Sequence, residues 1–418
     1  MTQVGKRLRE FRKSLQMTQE ELASDICNRS YVSQIEKGQV IPSPEILEQL
    51  ANRLNRDLSD LWQEAGNPSF TQVEVQNALR HIINRIEENE WDIARKWLTK
   101  LLHTTLSPTD QCRFSWAKAQ IAEHDDPFSD IESLYLESIE LAHDQQDIPS
   151  LVRSLDSLAL YYCRNQHAEK AIPLLMECFQ LMHQFFISYR SRISVHLHLG
   201  LMSEMLGEYR SAIAHLCRAE QMSIAADTMY KTGDIYFILG KCYMGLKEYA
   251  FAQQYFLRAI NSISPNSAQF LLIYRNLAKL HRITSRFDQA KDYINKAFEY
   301  LDDRCLVQDR DDLYLESAHI HKECREFEKA REILQSLLES GSPKMAAEVH
   351  LHLADICQLE GEIEKALSYL QHEALSEVNE VHYYLGQIHT KNGNFETACK
   401  HFERYFYLQN TSNIRQEE

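Results

Sequence analysis

Four side chains between residues 275 and 282 could together bind a short peptide. At α-helical spacing, Arg275, Lys279 and Arg282 fall on one stripe, and Asn276 lies beside it. Arginine and lysine can hold a carboxylate, and an asparagine amide can donate to and accept from a peptide backbone together. The pattern therefore indicates a binding surface for an extended peptide.

Two other interpretations of this stripe stay open. It can be a solvated basic face, or its charges can pair within the protein. The internal partners would be nearby acidic side chains, namely Asp234, Asp312 and Glu316. Corresponding positions of neighbouring segments add further candidates for peptide binding: Phe237, Lys241 and His198, with Arg153 and Arg164 in an earlier segment.

These residues belong to a segment that recurs about every forty residues. Each of nine copies has a small or apolar residue, an alanine-like residue twelve positions later, and bulky and small residues four and seven positions beyond that. The pattern predicts pairs of helices that approach closely at the small residues. The alanine-like positions are Ala94, Ile131, Ala171, Ala212, Ala252, Ala290, Ala330, Ala366 and Ala398.

Composition supports an all-α chain. There are 12 Gly and 9 Pro against 20 Tyr and 17 Phe, so helix breakers are few and packing groups many. The array resembles tetratricopeptide repeats, stretched beyond their usual length of about 34 residues. The resemblance implies a right-handed superhelix whose concave wall, made by the first helix of each pair, binds peptides. We expect a linker at 67–72, the array at 73–410 and a polar tail at 411–418.

The first 66 residues form a different unit, for which the apolar spacing predicts five helices. Leu8, Phe11 and Leu15 fall on one face of the first helix. Thr18 and Glu21 form a capping box at the start of the second. A third helix spans RSYVSQIEK, a fourth spans PEILEQLANRLN, and a short last one spans LSDLWQEAG. Two helices joined by a tight turn within such a bundle are a helix-turn-helix.

The run TQEELA followed by YVSQIEKG resembles the lambda-repressor-like (Xre/Cro) DNA-binding domains. The resemblance implies that the third helix enters the major groove, with Arg29, Ser30, Ser33 and Gln34 facing base edges. It also places Thr18 and Gln19 at phosphates, and pairs Arg12 with Glu36 to tie the first helix to the third. Because nine basic residues stand against ten acidic ones here, a dimerisation or protein-docking module is the alternative.

Net charge, apolar stretches and cysteine spacing exclude several classes of protein. The net charge of −15 argues against general coating of nucleic acid, so any DNA contact is local. No apolar stretch is long enough to span a membrane, and the N-terminus has no apolar signal core, so we expect a cytoplasmic protein. The ten cysteines form no CxxC pair and are expected to be reduced core thiols. No metal, cofactor or enzyme motif is evident.

The combination of parts is similar to the RRNPP family of quorum-sensing regulators. The segment from Asp25 to Ser33, DICNRSYVS, resembles the Ile-Cys-x-x-Ser turn of that family. The resemblance implies a homodimer that binds operator DNA and is switched by a short signalling peptide. The alternative is a Rap-like role, docking on a response regulator to inhibit or dephosphorylate it. The polar groups available for that role are Gln72, Gln76 and Gln120.

Overall fold

The computed structural model describes residues 3–40, 42–56, 61, 71–125, 130–263, 267, 269–301, 306–340, 343–372 and 380–417. Regular secondary structure in these ranges is helical, with no strand. The predicted all-α fold class is confirmed. Contacts divide the chain into two compact units, Met1–Met202 and Ser203–Glu418, so the N-terminal bundle shares a unit with the first repeats.

Four helices form the described part of the N-terminal bundle: α1 (Gln3–Ser14), α2 (Gln19–Ala23), α3 (Arg29–Glu36) and α4 (Pro44–Arg53). Their apolar faces meet in one core, which includes Leu8, Leu22 and Val32. Leu15, which the periodicity placed on the same face as Leu8, follows the end of α1 at Ser14 and is 46% exposed. Of the predicted fifth helix only Leu61 is described, and it is buried. The remainder of that helix and residues 67–70 of the predicted linker lie outside the described residues.

The repeats follow as nine helix pairs within the described ranges. In chain order they are α5 (Gln72–Glu87) with α6 (Trp91–Leu101), α7 (Pro108–Asp125) with α8 (Ile131–Asp144), α9 (Ile148–Arg164) with α10 (Ala168–Gln184), α11 (Tyr189–Met205) with α12 (Tyr209–Ala225), α13 (Thr232–Gly245) with α14 (Tyr249–Ser262), α15 (Gln269–Ile283) with α16 (Phe287–Phe298), α17 (Val307–Glu323) with α18 (Phe327–Ser340), α19 (Pro343–Glu360) with α20 (Ile363–Leu370), and α21 (Glu380–Lys391) with α22 (Phe395–Glu417). Residues 411–417, expected to be a polar tail, lie within α22, which runs to Glu417.

Small residues bring the two helices of a pair together, as the repeat pattern predicts. All nine alanine-like positions are at most 2% exposed. In the fifth pair, a Cβ on Gly240 of α13 would lie 2.5 Å from the ring of Phe256 on α14. Gly386 meets Phe402 in the same way in the ninth pair, at 2.7 Å. The glycines therefore leave the space that the aromatic rings fill.

Within each unit, first helices of successive pairs contact one another: α5 with α7 and α7 with α9 in the first unit, and α13, α15, α17, α19 and α21 in sequence in the second. We call the surface formed by α5, α7, α9 and α11 up to Met202 the N-terminal wall, which belongs to the first unit. The C-terminal wall, in the second unit, is formed by α13, α15, α17, α19 and α21. None of the described helices combines the length and apolarity needed to cross a membrane.

The close contact in the fifth pair is testable. We expect Gly240→Ala to destabilise the protein by about 1–3 kcal/mol, because the added methyl group overlaps the Phe256 ring. The penalty should be smaller when Gly240→Ala is made in a Phe256→Leu background, since leucine leaves room. Thermal unfolding of the four proteins of this double-mutant cycle gives the coupling. An equal penalty in both backgrounds would show that the two positions do not oppose each other.

Candidate functional site

Helix α3 presents the outward face on which the sequence placed the base-reading residues. Val32 and Ile35 are buried in the bundle core, which fixes the rotation of the helix. As a result Arg29, Ser30 and Gln34 are exposed, while Ser33 is half-buried at the edge of the same face. Asn28 caps this helix by accepting from the Tyr31 backbone N–H at 2.7 Å, a cap that the sequence reasoning missed.

Thr18 and Gln19 have partners inside the protein. The Thr18 hydroxyl and the Glu21 carboxylate form the predicted capping box at the start of α2. The amide of Gln19 donates to Glu36 Oε2 at 2.8 Å. The two side chains assigned to phosphate contact are thus held by α2 and by Glu36, so a phosphate would have to share them or displace these partners.

A buried ion pair orients α1 against α3. The Arg12 guanidinium lies 2.5 Å and 3.0 Å from the two oxygens of Glu36, and it also donates to the Met17 carbonyl at 2.7 Å. Both side chains are almost fully buried. The predicted Arg12–Glu36 pair is confirmed. A buried charge of this kind costs several kcal/mol when its partner is removed, so the pair fixes the position of α3.

A polar contact joins the bundle to the first repeat. His81 of α5 is buried, and its Nδ1 lies 3.2 Å from Glu45 Oε1 in the first turn of α4. Its ring packs edge-on against Trp97, with the centroids 5.3 Å apart. Burial lowers the pKa of His81, although the Glu45 hydrogen bond acts in the opposite direction. Helical periodicity places His81 on the buried face of α5 but does not reveal that α4 lies against it.

In the C-terminal wall, most of the predicted peptide-binding stripe is engaged internally. Arg275 lies 2.9 Å from Asp312, and Arg282 lies 2.6 Å from Glu316, both one repeat further along. Asn276 is buried and donates to the Leu272 carbonyl of its own helix. The internal pairing that the sequence left open therefore occurs for the two arginines, with Asp312 and Glu316 as the partners named.

Lys279 differs from its neighbours. It is exposed, and it makes no ion pair with any residue that the structure describes. Its positive charge lowers the pKa of Glu348 two repeats along, after the larger effect of a hydrogen bond from His352. Of the four residues in the stripe, Lys279 is thus the one whose polar group is presented to solvent without an ion-pair partner among the described residues.

The remaining peptide-binding candidates are spread over both walls. Lys241 pairs with Glu204 at 2.7 Å, and the half-buried ring of Phe237 lies 6.0 Å from that of Phe256. Acidic Asp234 accepts from Gln269 rather than from a basic residue of the stripe. His198 is buried in the N-terminal wall, where its Nδ1 lies 2.7 Å from Asp156 Oδ1.

Two histidines meet in the C-terminal wall. The Nε2 atoms of His319 on α17 and His352 on α19 are 2.8 Å apart, so one ring donates and the other accepts. Burial lowers the pKa of His319, opposed by its hydrogen bond to Glu316. Burial also acts to raise the pKa of Glu316, but hydrogen bonds from His319 and Arg282 outweigh it, and the net pKa is lowered. The cluster therefore favours neutral His319 beside an ionised Glu316.

A second group of charges lies in the N-terminal wall. Glu87, the last residue of α5, is 2.6 Å from Arg190 of α11 and 3.8 Å from Arg153 of α9. The Arg153 guanidinium lies over the Trp116 ring of α7, 5.0 Å from its centroid. Sequence spacing identified Arg153 as inward but gave no sign of Glu87 or Arg190, because their meeting depends on how four repeats stack.

The glutamines considered for response-regulator docking separate into two kinds. Gln72 and Gln76 are exposed one turn apart on α5. Gln120 is half-buried, and its amide donates to the Tyr135 hydroxyl. Only the first two present their amides to solvent. Among the residues that the structure describes, no three histidine, cysteine or acidic side chains converge as a metal site.

Comparison with known proteins agrees with this architecture. Residues 8–61 match the helix-turn-helix family model, and residues 233–265 match the tetratricopeptide repeat model. No curated protein matches the chain in sequence.

Solved structures share the fold at low sequence identity. The apo form of the quorum sensor NprR from B. thuringiensis has a TM-score of 0.66 and 14% identity, covering 81% of this chain and 99% of that one. Apo RapI has a TM-score of 0.56 and 12% identity, with 81% and 98% covered. NprR in complex with its cognate peptide NprX has a TM-score of 0.55 and 13% identity, with 81% and 99% covered. The chain thus shares the fold of NprR and RapI.

The histidine pair predicts how stability depends on pH. Because the pKa of His319 is lowered in the folded protein, the unfolded chain binds its proton first as the pH falls through about 6.5. Acidification from about pH 7 to 5 should therefore destabilise the protein, and His319→Gln should reduce the slope of melting temperature against pH. His143 is exposed, and His143→Gln is the control. Equal slopes for His319→Gln and the wild type would contradict the assignment.

Proposed function

We propose that this protein is a cytoplasmic transcription regulator of the RRNPP type. It binds operator DNA through α3 and is switched by a short peptide bound by the repeat array. The observation that carries the proposal is a helix-turn-helix bundle packed, through His81 and Glu45, on the first repeat of an array with the fold of the quorum sensor NprR. No group in this proposal is catalytic, so we assign it no enzymatic activity.

The exposed face of α3 supports the DNA role. Arginine and glutamine are the side chains that read guanine and adenine with two hydrogen bonds each, and Arg29 and Gln34 are both exposed there. One small bundle buries little DNA surface, so we infer a homodimer that reads two half-sites. The acidic net charge keeps contacts local to this face.

The peptide role is supported by the C-terminal wall and by one solved structure with a similar fold. NprR binds its cognate peptide NprX. In this chain the exposed Lys279 could hold a carboxylate without first losing an internal partner, whereas Arg275 and Arg282 would have to leave Asp312 and Glu316. Of the predicted stripe, Lys279 is therefore the residue that we expect to contact the peptide first.

A second candidate function is docking on a response regulator. It is favoured by the fold shared with RapI and by the two solvent-facing amides of Gln72 and Gln76. These lie on α5, which also contacts the DNA-binding bundle, so a docked protein and DNA would both act through the same helix.

The proposal is tested with the full-length protein. Selection from genomic fragments should yield a specific site whose affinity falls with salt. Arg29→Ala and Gln34→Ala should each weaken binding to that site by about 1–3 kcal/mol, because each loses a base contact. Arg80→Ala, an exposed arginine on α5, should leave it unchanged.

Calorimetry with synthetic short peptides encoded beside the gene completes the test. Lys279→Ala should weaken peptide binding, whereas the α3 variants should retain it. A protein that selects no DNA site would refute the DNA role. A specific site that persists while no peptide binds would refute the peptide switch and favour response-regulator docking.

A further inference from the structure

The contact between Glu87 and Arg190 crosses the N-terminal wall. In a repeat array each unit normally contacts only its neighbours. Here a side chain of the first repeat meets one of the fourth at 2.6 Å, and Arg153 of the third lies 3.8 Å from the same carboxylate. The carboxylate is largely buried, with 11% of the Glu87 side chain exposed. Two arginines from different repeats thus converge on one anion.

The arginines are placed as a carboxylate-binding pair. Arg153 is held over the Trp116 ring, and the Trp116 indole N–H donates to Ser157 Oγ at 2.9 Å, which fixes the ring. The Arg190 side chain is 45% exposed, so this end of the contact can be reached from solvent. The Arg190 guanidinium is within hydrogen-bonding distance of the carboxylate, and Arg153, at 3.8 Å, adds its positive charge.

We propose that Arg153 and Arg190 form a carboxylate subsite of the N-terminal wall and that Glu87 is its built-in occupant. A carboxylate of the bound peptide, either its C-terminus or an acidic side chain, displaces Glu87 and takes its place on the two arginines. The inference rests on the proposed peptide role, and it adds the chemistry of the ligand and the contact that the ligand must break.

Displacement of Glu87 acts on a helix that reaches the DNA-binding bundle. Glu87 ends α5, and His81 lies six residues earlier on the same helix, against Glu45 of α4. A helix is stiff over this length, of about two turns. Releasing the C-terminal end of α5 therefore changes the constraint on the His81–Glu45 contact. A ligand biases the bundle in this way only if it binds the released state more tightly.

The experiment uses tetra-alanine as a probe that carries a carboxylate only at its C-terminus. Calorimetry at constant ionic strength compares it with its C-terminal amide and with the amide of Ala-Ala-Asp-Ala, which carries the carboxylate on a side chain. Glu87→Gln should bind the carboxylate probe about tenfold more tightly than the wild type, because the occupant no longer competes. The amide of tetra-alanine should show no such gain. Whichever of the two carboxylate probes gains more identifies the source of the ligand group.

Matched variants separate this effect from a general loss of charge. Glu88→Gln removes a neighbouring carboxylate that pairs with Arg85, and it should behave as the wild type. Glu87→Asp keeps the charge but shortens its reach, and it should be intermediate. Adding Arg190→Gln to Glu87→Gln should abolish the gain. Circular dichroism of each variant establishes that it is folded.

Two results would overturn the inference. Equal binding of tetra-alanine by Glu87→Gln and the wild type would refute the subsite, whether or not the protein selects an operator or a peptide. The link to the bundle predicts that hydrogen exchange across α4 is faster in Glu87→Gln with the probe bound than in the wild type. Equal exchange in the two would refute this link. Failure to select DNA, with the carboxylate gain intact, would instead count against the proposed function alone.

Discussion

In each repeat the two helices approach closely, and the stability of the array follows from this approach. A single pair cannot bury its apolar face, so stability comes from stacking pairs whose helices are near enough to exclude water. At Gly240 and Gly386 only a hydrogen atom fits beside an aromatic ring. Alanine-like residues on the second helix of each pair allow the same close approach, and all nine are buried.

Stacking at this distance decides what happens to the polar faces. First helices of successive repeats come side by side, so a basic residue on one helix faces an acidic residue on the next. Lys322 meets Asp355 at 2.8 Å in the C-terminal wall, in the same manner as the two arginines of α15. Half-buried charges are stable only when paired, so the walls carry their own counter-ions. A charged ligand must compete with these pairs or use the few groups, such as Lys279, that face solvent.

Helix α5 of the first repeat contacts the bundle. It contributes His81 to the contact with α4 and Glu87 to the arginines of the N-terminal wall. Within the bundle, the Arg12–Glu36 pair and Gln19 hold α1, α2 and α3 together, so the exposed face of α3 is carried by a stiff element. A change at either end of α5 therefore bears on parts of the first unit that are distant in sequence.

Local sequence patterns predict the helices of the described repeats, the repeat positions and the outward face of α3, because these follow from periodicity, capping and side-chain size. It also identified the Arg12–Glu36 pair through a resemblance. The tertiary structure is needed to know which side chains remain available: Arg275 and Arg282 pair with Asp312 and Glu316, His198 is buried on Asp156, and Glu87 reaches Arg190 across three repeat steps. Those outcomes depend on the angle and spacing between repeats, which no local pattern encodes.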